Sequence, residues 1–201
     1  MSELLVYVEL GVRHILDLRA LDHVLFLLAL AAIYRMRDWR ESLWVVSSFT
    51  IGHSLTLALA VTGVLALPTA LIEFLIPVTI VATCLENVLV TDRARTPWRV
   101  GHRPVLAGIF GLVHGAGFAN YLKALFIESV AVPLLGFNIG IELGQVLVLT
   151  LAAAVLTVLD RVILAMRAPR AAPSPLRIRV MMISCVVALV ATRWAFERRL
   201  W

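Results

Sequence analysis

The sequence predicts an all-α fold, a polytopic transmembrane helix bundle of about six spans, with seven as the alternative. Of its 201 residues, 61% are hydrophobic and 15% are charged, against about 45–50% and about 25% in soluble domains. The mean hydropathy is +0.95. The apolar residues come in runs of about 20, the length that crosses a hydrocarbon core of about 30 Å. These observations exclude a disordered chain, a disulfide-stapled secreted module and a nucleic-acid-binding domain, despite the net charge of +5.

Six apolar segments follow one another and form a single transmembrane domain over residues 1–201. Residues 2–12 are predicted to be a short amphipathic entry segment, without the basic region and cleavage site of a signal peptide. The motif-bearing core covers about residues 11–150, and a basic, Pro/Ala-rich linker at about 161–177 precedes the last span. The predicted spans are His14–Tyr34, Leu43–Leu67, Thr69–Val90, Pro104–Ile127, Val132 to about Leu159, and Ile178–Phe196.

Loop arginines predict the orientation of these spans. They lie in the first, third and fifth joints, whereas the joints around Pro68 and around residues 128–133 contain no Arg or Lys. Loops rich in Arg and Lys stay in the cytoplasm. We therefore expect a multi-pass protein of the inner (cytoplasmic) membrane with its N-terminus outside. The arginines are Arg35, Arg37 and Arg40; Arg93, Arg95, Arg99 and Arg103; and Arg161, Arg167, Arg170, Arg177 and Arg179.

Ionisable residues interrupt the apolar spans, and each costs about 2.5–3.5 kcal/mol near the bilayer centre unless it faces a bundle interior or a pathway. His53, His114 and Glu142 each lie ten residues into their predicted spans, which is roughly 15 Å at 1.5 Å per residue. Three helices are therefore predicted to bring these groups to the membrane midplane. The predicted metal ligands are Asp22, His23, His53, Glu86, His114 and Glu142, and the supporting residues are His14, Thr56, Asn87, Asn138 and Gln145.

The fifth predicted span has two faces. Asn138, Glu142 and Gln145 follow the i, i+4, i+7 spacing and share one side of a helix. Three glycines spaced four residues apart occupy roughly the opposite side, where a neighbouring backbone can approach closely. The sequence thus predicts one polar face and one packing face; the glycines are Gly136, Gly140 and Gly144.

The combination of imidazole and carboxylate favours a divalent transition metal such as nickel, cobalt or zinc over magnesium or calcium. Cys84 and Cys185 lie in separate apolar runs and are interpreted as small core residues. Three alternatives remain open from the residues alone. The histidines could be interhelical hydrogen-bond partners, they could hold zinc in an intramembrane hydrolase, or His53 and His114 could be axial ligands of a heme. The His-Glu-x-x-His pattern of a zinc hydrolase is missing.

Five blocks carry a resemblance, and they occur in order along residues 11–150. They are His14-Ile-Leu with Leu21-Asp22-His23-Val-Leu-Phe26; Phe49-Thr50-Ile-Gly-His53-Ser54-Leu-Thr56-Leu; Glu86-Asn87; Gly111-Leu-Val-His114-Gly115-Ala-Gly117-Phe118-Ala119; and Phe137-Asn138-Ile-Gly140-Ile-Glu142-Leu-Gly144-Gln145. Together they resemble the HupE/UreJ family of nickel-permease-like integral membrane proteins. Ala20 stands where that family has a glycine before the Asp-His pair, and so His14 ranks below Asp22 and His23 as a candidate.

The resemblance implies a permease for nickel or cobalt rather than an enzyme. The expected path begins outside at Asp22 and His23, continues to His53, His114 and Glu142, and passes Glu86 toward the cytoplasm. The expected partners are the lipid bilayer and the metal ion, a homo-oligomer stays open, and no nucleic acid is expected.

Overall fold

The computed structural model describes residues 2–18, 21–89, 102–125, 130–166 and 173–199. Over these residues the chain forms helices and turns without strands, which confirms the all-α class. A short 3-10 turn, Met36–Asp38, leads directly into the third helix. The helices are α1 Glu3–Leu16, α2 Asp22–Ala31, α3 Trp39–Val61, α4 Thr69–Leu89, α5 His102–Leu125, α6 Ala131–Ala165 and α7 Pro175–Glu197.

Four of the described helices are long and apolar enough to cross a membrane, judged by length and composition. They are α3 together with the turn before it, α4, α6 and α7. Helix α5 covers most of the predicted fourth span, and α2 is a shorter apolar helix of 10 residues. The membrane character of the chain is thus supported, while the count of about six spans stays a prediction.

The first predicted span is not one continuous helix, which corrects the expectation of a segment from His14 to Tyr34. Helix α1 ends at Leu16 and α2 begins at Asp22. At 1.5 Å per residue the 14 and 10 residues of these helices give lengths of roughly 21 and 15 Å. Neither length reaches the 30 Å or so of a hydrocarbon core. The interruption follows from Asp17, which ends α1 with an extended backbone, since Asp favours turns and caps over helix interiors.

Helix α1 packs against α6 in the same direction, along the predicted glycine face. Leu4 lies at Gly136, and Ile15 lies at Gly144. A Cβ atom added to Gly140 would overlap the backbone carbonyl of Val8, so the two backbones are in direct contact. The predicted packing role of the glycine stripe is therefore confirmed.

Helices α3 and α5 form a second close, parallel pair. A Cβ atom on Gly52 would overlap the carbonyl of Gly108, and one on Gly115 would overlap the carbonyl of His53. Small residues permit such approach between apolar helices, where van der Waals contact replaces the hydrophobic drive of water. This contact sets the positions of His53 and His114 relative to each other.

Helix α7 packs mainly against α4 and carries a buried arginine that joins three elements. The Arg179 side chain is 2% exposed and lies 2.5 Å from Asp160 Oδ2 on α6. It also donates to the carbonyl oxygens of Ala32 at 3.2 Å and Tyr34 at 2.7 Å, just beyond the end of α2. The sequence placed Arg179 among the loop arginines, whereas the structure places it inside α7 with its side chain buried.

The linker predicted at about 161–177 is partly helical. Helix α6 continues to Ala165 and α7 begins at Pro175, so both helices extend into the predicted linker.

Candidate metal centre

Four histidines from four helices meet inside the bundle. The ring centroids of His14 and His23 are 4.6 Å apart, and those of His23 and His53 are 6.1 Å apart. His114 joins from α5, with its ring centroid 5.3 Å from that of His23. Ligand atoms of His14, His23 and His53 all lie within 4.8 Å of one another. We call these four residues the histidine cluster.

The geometry of the histidine cluster fits metal coordination after a small contraction. Zn–N bonds of about 2.0–2.1 Å in a tetrahedral site place the ligand nitrogens roughly 3.4 Å apart. The ligand atoms of His14, His23 and His53 lie within 4.8 Å of one another, so they would have to approach by up to roughly 1.4 Å to reach this spacing. The three helices therefore bring three imidazole donors to one point.

Several ring nitrogens of the histidine cluster are buried without a hydrogen-bond partner in the described part of the chain. They are Nε2 of His14, Nε2 of His23, both nitrogens of His53 and Nδ1 of His114. An unpaired buried polar atom costs about 1–3 kcal/mol, so native proteins keep few of them. Because a neutral imidazole carries one N–H and one lone pair, each of the four rings has at least one nitrogen without a partner among the described residues, and these nitrogens could hold a metal ion.

Four phenylalanines enclose the histidine cluster. The ring of Phe118 is tilted against that of His14 at a centroid distance of 4.0 Å, and Phe137 lies 5.5 Å from the same ring. Phe49 and Phe26 lie 5.1 and 5.3 Å from the ring of His114. This apolar shell lowers the local dielectric and limits the access of water from these sides.

An open cleft reaches the cluster from the side of His14. Its volume is about 570 Å³. It lies where α1 ends, beside the interruption between α1 and α2, and both charged and apolar side chains line it. The lining residues are Leu10, Arg13, His14, Leu16, Asp17, Leu18 and Phe118.

The structure does not bring Asp22 into the same group of ligand atoms as the histidines. Although Asp22 precedes His23, its two carboxylate oxygens each lie 3.4 Å from Nη1 of Arg198 at the end of α7. Its side chain is 14% exposed. Asp22 therefore already has a cationic partner.

Glu86 belongs to a different polar network, at the start of α5. His102 Nε2 lies 2.6 Å from Glu86 Oε1, and Arg103 Nε lies 3.0 Å from the same oxygen. Arg103 also donates to Asn87 Oδ1, and Asn87 donates to the carbonyl of Ala29 on α2 at 2.7 Å. This network joins α2, α4 and α5, and an arginine within it opposes the approach of a cation.

The polar residues of α6 are not part of the group of ligand atoms formed by His14, His23 and His53. Gln145 is fully buried and accepts a hydrogen bond from Thr50 of α3 at 2.9 Å. Asn138 Oδ1 is buried without a partner among the described residues, and Glu142 is half-buried. Thr56 is buried on α3. Within the described ranges, the group of possible metal ligands contains no carboxylate.

Comparison with known proteins supplies the family. The family model described as HupE / UreJ protein matches residues 1–198. The chain belongs to the HupE/UreJ family. That family is generally related to nickel and cobalt transport. Neither a curated protein nor a solved structure matches this chain significantly.

Sequence reasoning gave His14 of this HupE/UreJ protein a supporting place, whereas the structure puts it in the closest group. That rank followed from Ala20, which stands where the family has a glycine before the Asp-His pair. In one continuous helix, His14 and His23 would be nine residues, or roughly 14 Å, apart. The interruption after Leu16 instead folds the two imidazoles together. The family motif that begins at His14 was the available signal.

Proposed function

We propose that this HupE/UreJ protein is a permease for a divalent transition metal ion, nickel or cobalt, in the cytoplasmic membrane, and that the histidine cluster binds the ion in transit. One observation carries the proposal. His14, His23 and His53 hold buried, unpaired ring nitrogens with ligand atoms within 4.8 Å of one another. Neutral imidazole suits nickel, cobalt, zinc and copper(II), whereas magnesium and calcium prefer oxygen ligands.

An imidazole site also suits transport better than storage. Because carboxylates are missing from the closest group within the described ranges, the ion keeps its double positive charge while bound. A site that conducts must bind strongly enough to admit the ion and weakly enough to release it. The membrane potential acts on that charge, contributing about 2.3 kcal/mol per elementary charge per 100 mV. The cleft beside His14 supplies the entry route in this proposal.

The first prediction concerns His53, which is fully buried with both ring nitrogens unpaired. In cells that take up radioactive nickel or cobalt through this protein, we expect His53→Ala to lower the initial rate by about tenfold or more. Loss even of groups that only support metal ligands costs 10–100-fold in affinity or activity.

The matched control is His102→Ala, which removes the one histidine outside the cluster. His102 contacts Glu86 and is part-buried, so we expect uptake to stay within about twofold of the original rate, because this contact lies outside the histidine cluster and surface-exposed contacts of this kind contribute little. Equal rates for His53→Ala and the original protein, at matched amounts in the membrane, would refute the proposal.

Metal content separates transport from an intramembrane zinc enzyme. A transport site exchanges its ion readily, whereas a catalytic zinc site holds its metal through three protein ligands and keeps a fourth position for water. Purified protein with one slowly exchanging zinc and no uptake would favour the enzyme.

The close packing of the histidine rings and the four phenylalanines gives the heme interpretation no support. An absorption spectrum of the purified protein tests this interpretation.

A further inference from the structure

A threonine on α4 contacts the fourth histidine of the cluster. Thr79 Oγ1 donates a hydrogen bond to the carbonyl of Ile76 at 2.7 Å. The same oxygen lies 3.0 Å from Nε2 of His114. Both side chains are buried, with exposed fractions of 6% for Thr79 and 1% for His114.

The single hydroxyl proton of Thr79 decides which partner donates. A threonine hydroxyl has one O–H donor and two acceptor lone pairs. Because that proton goes to the Ile76 carbonyl, Thr79 Oγ1 accepts its second bond, and Nε2 of His114 supplies the hydrogen. Neutral imidazole carries only one N–H, so the lone pair of His114 is on Nδ1.

We infer that Thr79 is a positioning residue that fixes the tautomer and the ring orientation of His114, so that Nδ1 is the atom offered to the metal ion. The inference rests on the proposed function and deepens it by naming the fourth donor atom. Histidine ligands commonly donate their other ring N–H to an oxygen partner, which orients the ring and raises its basicity as a ligand. Here that partner is a neutral hydroxyl rather than a carboxylate.

The surroundings of His114 agree with this assignment. Its Nδ1 is buried and has no hydrogen-bond partner among the described residues, so nothing within them competes for the lone pair. The ring lies 5.3 Å from that of His23 and is bounded by Phe49 and Phe26. A ring flip would put Cε1 in the place of Nε2 beside Thr79 Oγ1 and turn Nδ1 toward the opposite edge of the ring, so Thr79 would lose its second bond.

The surrounding turn of α4 holds Thr79 in place. Thr83, one turn further along, donates to the carbonyl of Thr79 at 2.9 Å. It lies on the same helix and is equally buried. Thr83 therefore offers a control that shares the helix, the residue type and the burial of Thr79, while the hydrogen bond to His114 belongs to Thr79.

The test uses the full chain purified in detergent, with Ni²⁺ and Co²⁺ as the titrated probes. We expect Thr79→Val, which keeps the shape and removes the hydroxyl, to weaken metal binding by about 10–100-fold. Thr79→Ser restores the hydroxyl and should bind within about threefold of the original protein. Thr83→Val should do the same, because its hydroxyl donates to the backbone carbonyl of Thr79 rather than contacting a histidine among the described residues.

A second readout follows the tautomer itself. In metal-free original protein, ¹⁵N NMR of the His114 side chain should show the hydrogen on Nε2, and Thr79→Val should lose that preference. X-ray absorption of the cobalt-loaded protein should count four imidazoles in the original and three in Thr79→Val.

Two outcomes overturn the inference. One is a hydrogen on Nδ1 of His114 in the metal-free original protein, a measurement that does not require any variant to fold. The other is unchanged metal affinity in Thr79→Val. If either occurs while His53→Ala still abolishes uptake, the inference fails and the proposed function stands; if His53→Ala leaves uptake intact, the proposed function itself fails.

Discussion

At the scale of single residues, the five histidines separate into a cluster of four and one outlier. His14, His23, His53 and His114 lie with their rings in mutual proximity, and His102 lies against Glu86 instead. Burial alone does not separate them, because His23, His53 and His114 are buried whereas His14 and His102 are both part-buried. The candidate metal ligands are therefore distinguished by their ring nitrogens, which have no hydrogen-bond partner among the described residues, whereas His102 contacts Glu86.

Gly115 lies against the backbone of His53, and we expect its small size to be required for the packing of α5 against α3. A Cβ atom at Gly115 would overlap the His53 carbonyl and lie 2.8 and 2.9 Å from two of its backbone carbons. We expect Gly115→Ala to force α5 away from α3 and lower the free energy of unfolding by about 1–3 kcal/mol, the usual cost of overpacking. Metal affinity should fall with it, as measured by Ni²⁺ titration beside a thermal melt.

Gly108→Ala is the control for that change, since it lies on the same helix and the same interface. A Cβ atom there would meet the Ser48 carbonyl at 3.4 Å, which is ordinary contact. We expect stability to be unchanged or raised by up to about 1 kcal/mol, because alanine favours a helix more than glycine does. Equal losses for Gly108→Ala and Gly115→Ala would contradict the role given to the close approach.

At the scale of the elements, the interrupted pair α1 and α2 explains the position of Asp22. Asp22 lies in the first turn of α2, where a carboxylate stabilises the positive end of a helix by about 0.3–1 kcal/mol. Arg198 of α7 then pairs with the same carboxylate. The Asp22–Arg198 pair thus connects the start of α2 to α7. The position of Asp22 beside His23 in the sequence gave no indication of this structural role.

Arg179 of α7 connects the other end of α2 to α6. It joins Asp160 of α6 to the carbonyls of Ala32 and Tyr34 while its own side chain is buried. Removal of one partner of a buried ion pair typically costs about 3–5 kcal/mol, because the other charge is left uncompensated. We expect Arg179→Met to destabilise the protein by an amount in that range, measured as the loss of folded protein on heating in detergent.

Arg177→Met provides the comparison on the same helix. Arg177 is exposed, so its loss should change stability by no more than about 0.5 kcal/mol. Combining Arg179→Met with Asp160→Leu should recover part of the lost stability, since no charge then stays buried. A double variant less stable than Arg179→Met would show that the uncompensated carboxylate is not the cause.

At the scale of the whole molecule, the loop arginines predict a definite orientation in the membrane. Arg37 precedes α3 and Val64 follows it, and both side chains are largely exposed. In a background carrying Cys84→Ala and Cys185→Ala, a thiol reagent that cannot cross membranes should label Val64→Cys in intact cells. Arg37→Cys should react only after the cells are opened, because positively charged loops stay in the cytoplasm. The reverse pattern would overturn the predicted topology.

The helical class, the glycine face of α6 and the candidate histidines could be predicted from the sequence, because each depends on residue type and local spacing. The partners of the acidic residues depend on tertiary contacts instead. Asp22 meets Arg198, which lies 176 positions later in the sequence, and Glu86 meets Arg103 across a stretch that includes residues outside the described ranges. The interruption between α1 and α2 has a local signal in Asp17, which ends α1, but the apolar run from His14 to Tyr34 outweighed this signal in the sequence.

The end of α1 has an electrostatic consequence for an ion at the histidine cluster. Helix α1 stops at Leu16, and His14 lies in its last turn. The last four carbonyl groups of a helix have no intrahelical N–H partner, and the aligned peptide dipoles give that end about half a negative charge. A cation beside His14 therefore meets a fixed partial negative charge from the backbone. Under the proposed function, this backbone charge would add to the attraction for the ion without a carboxylate among the closest ligands of the described residues.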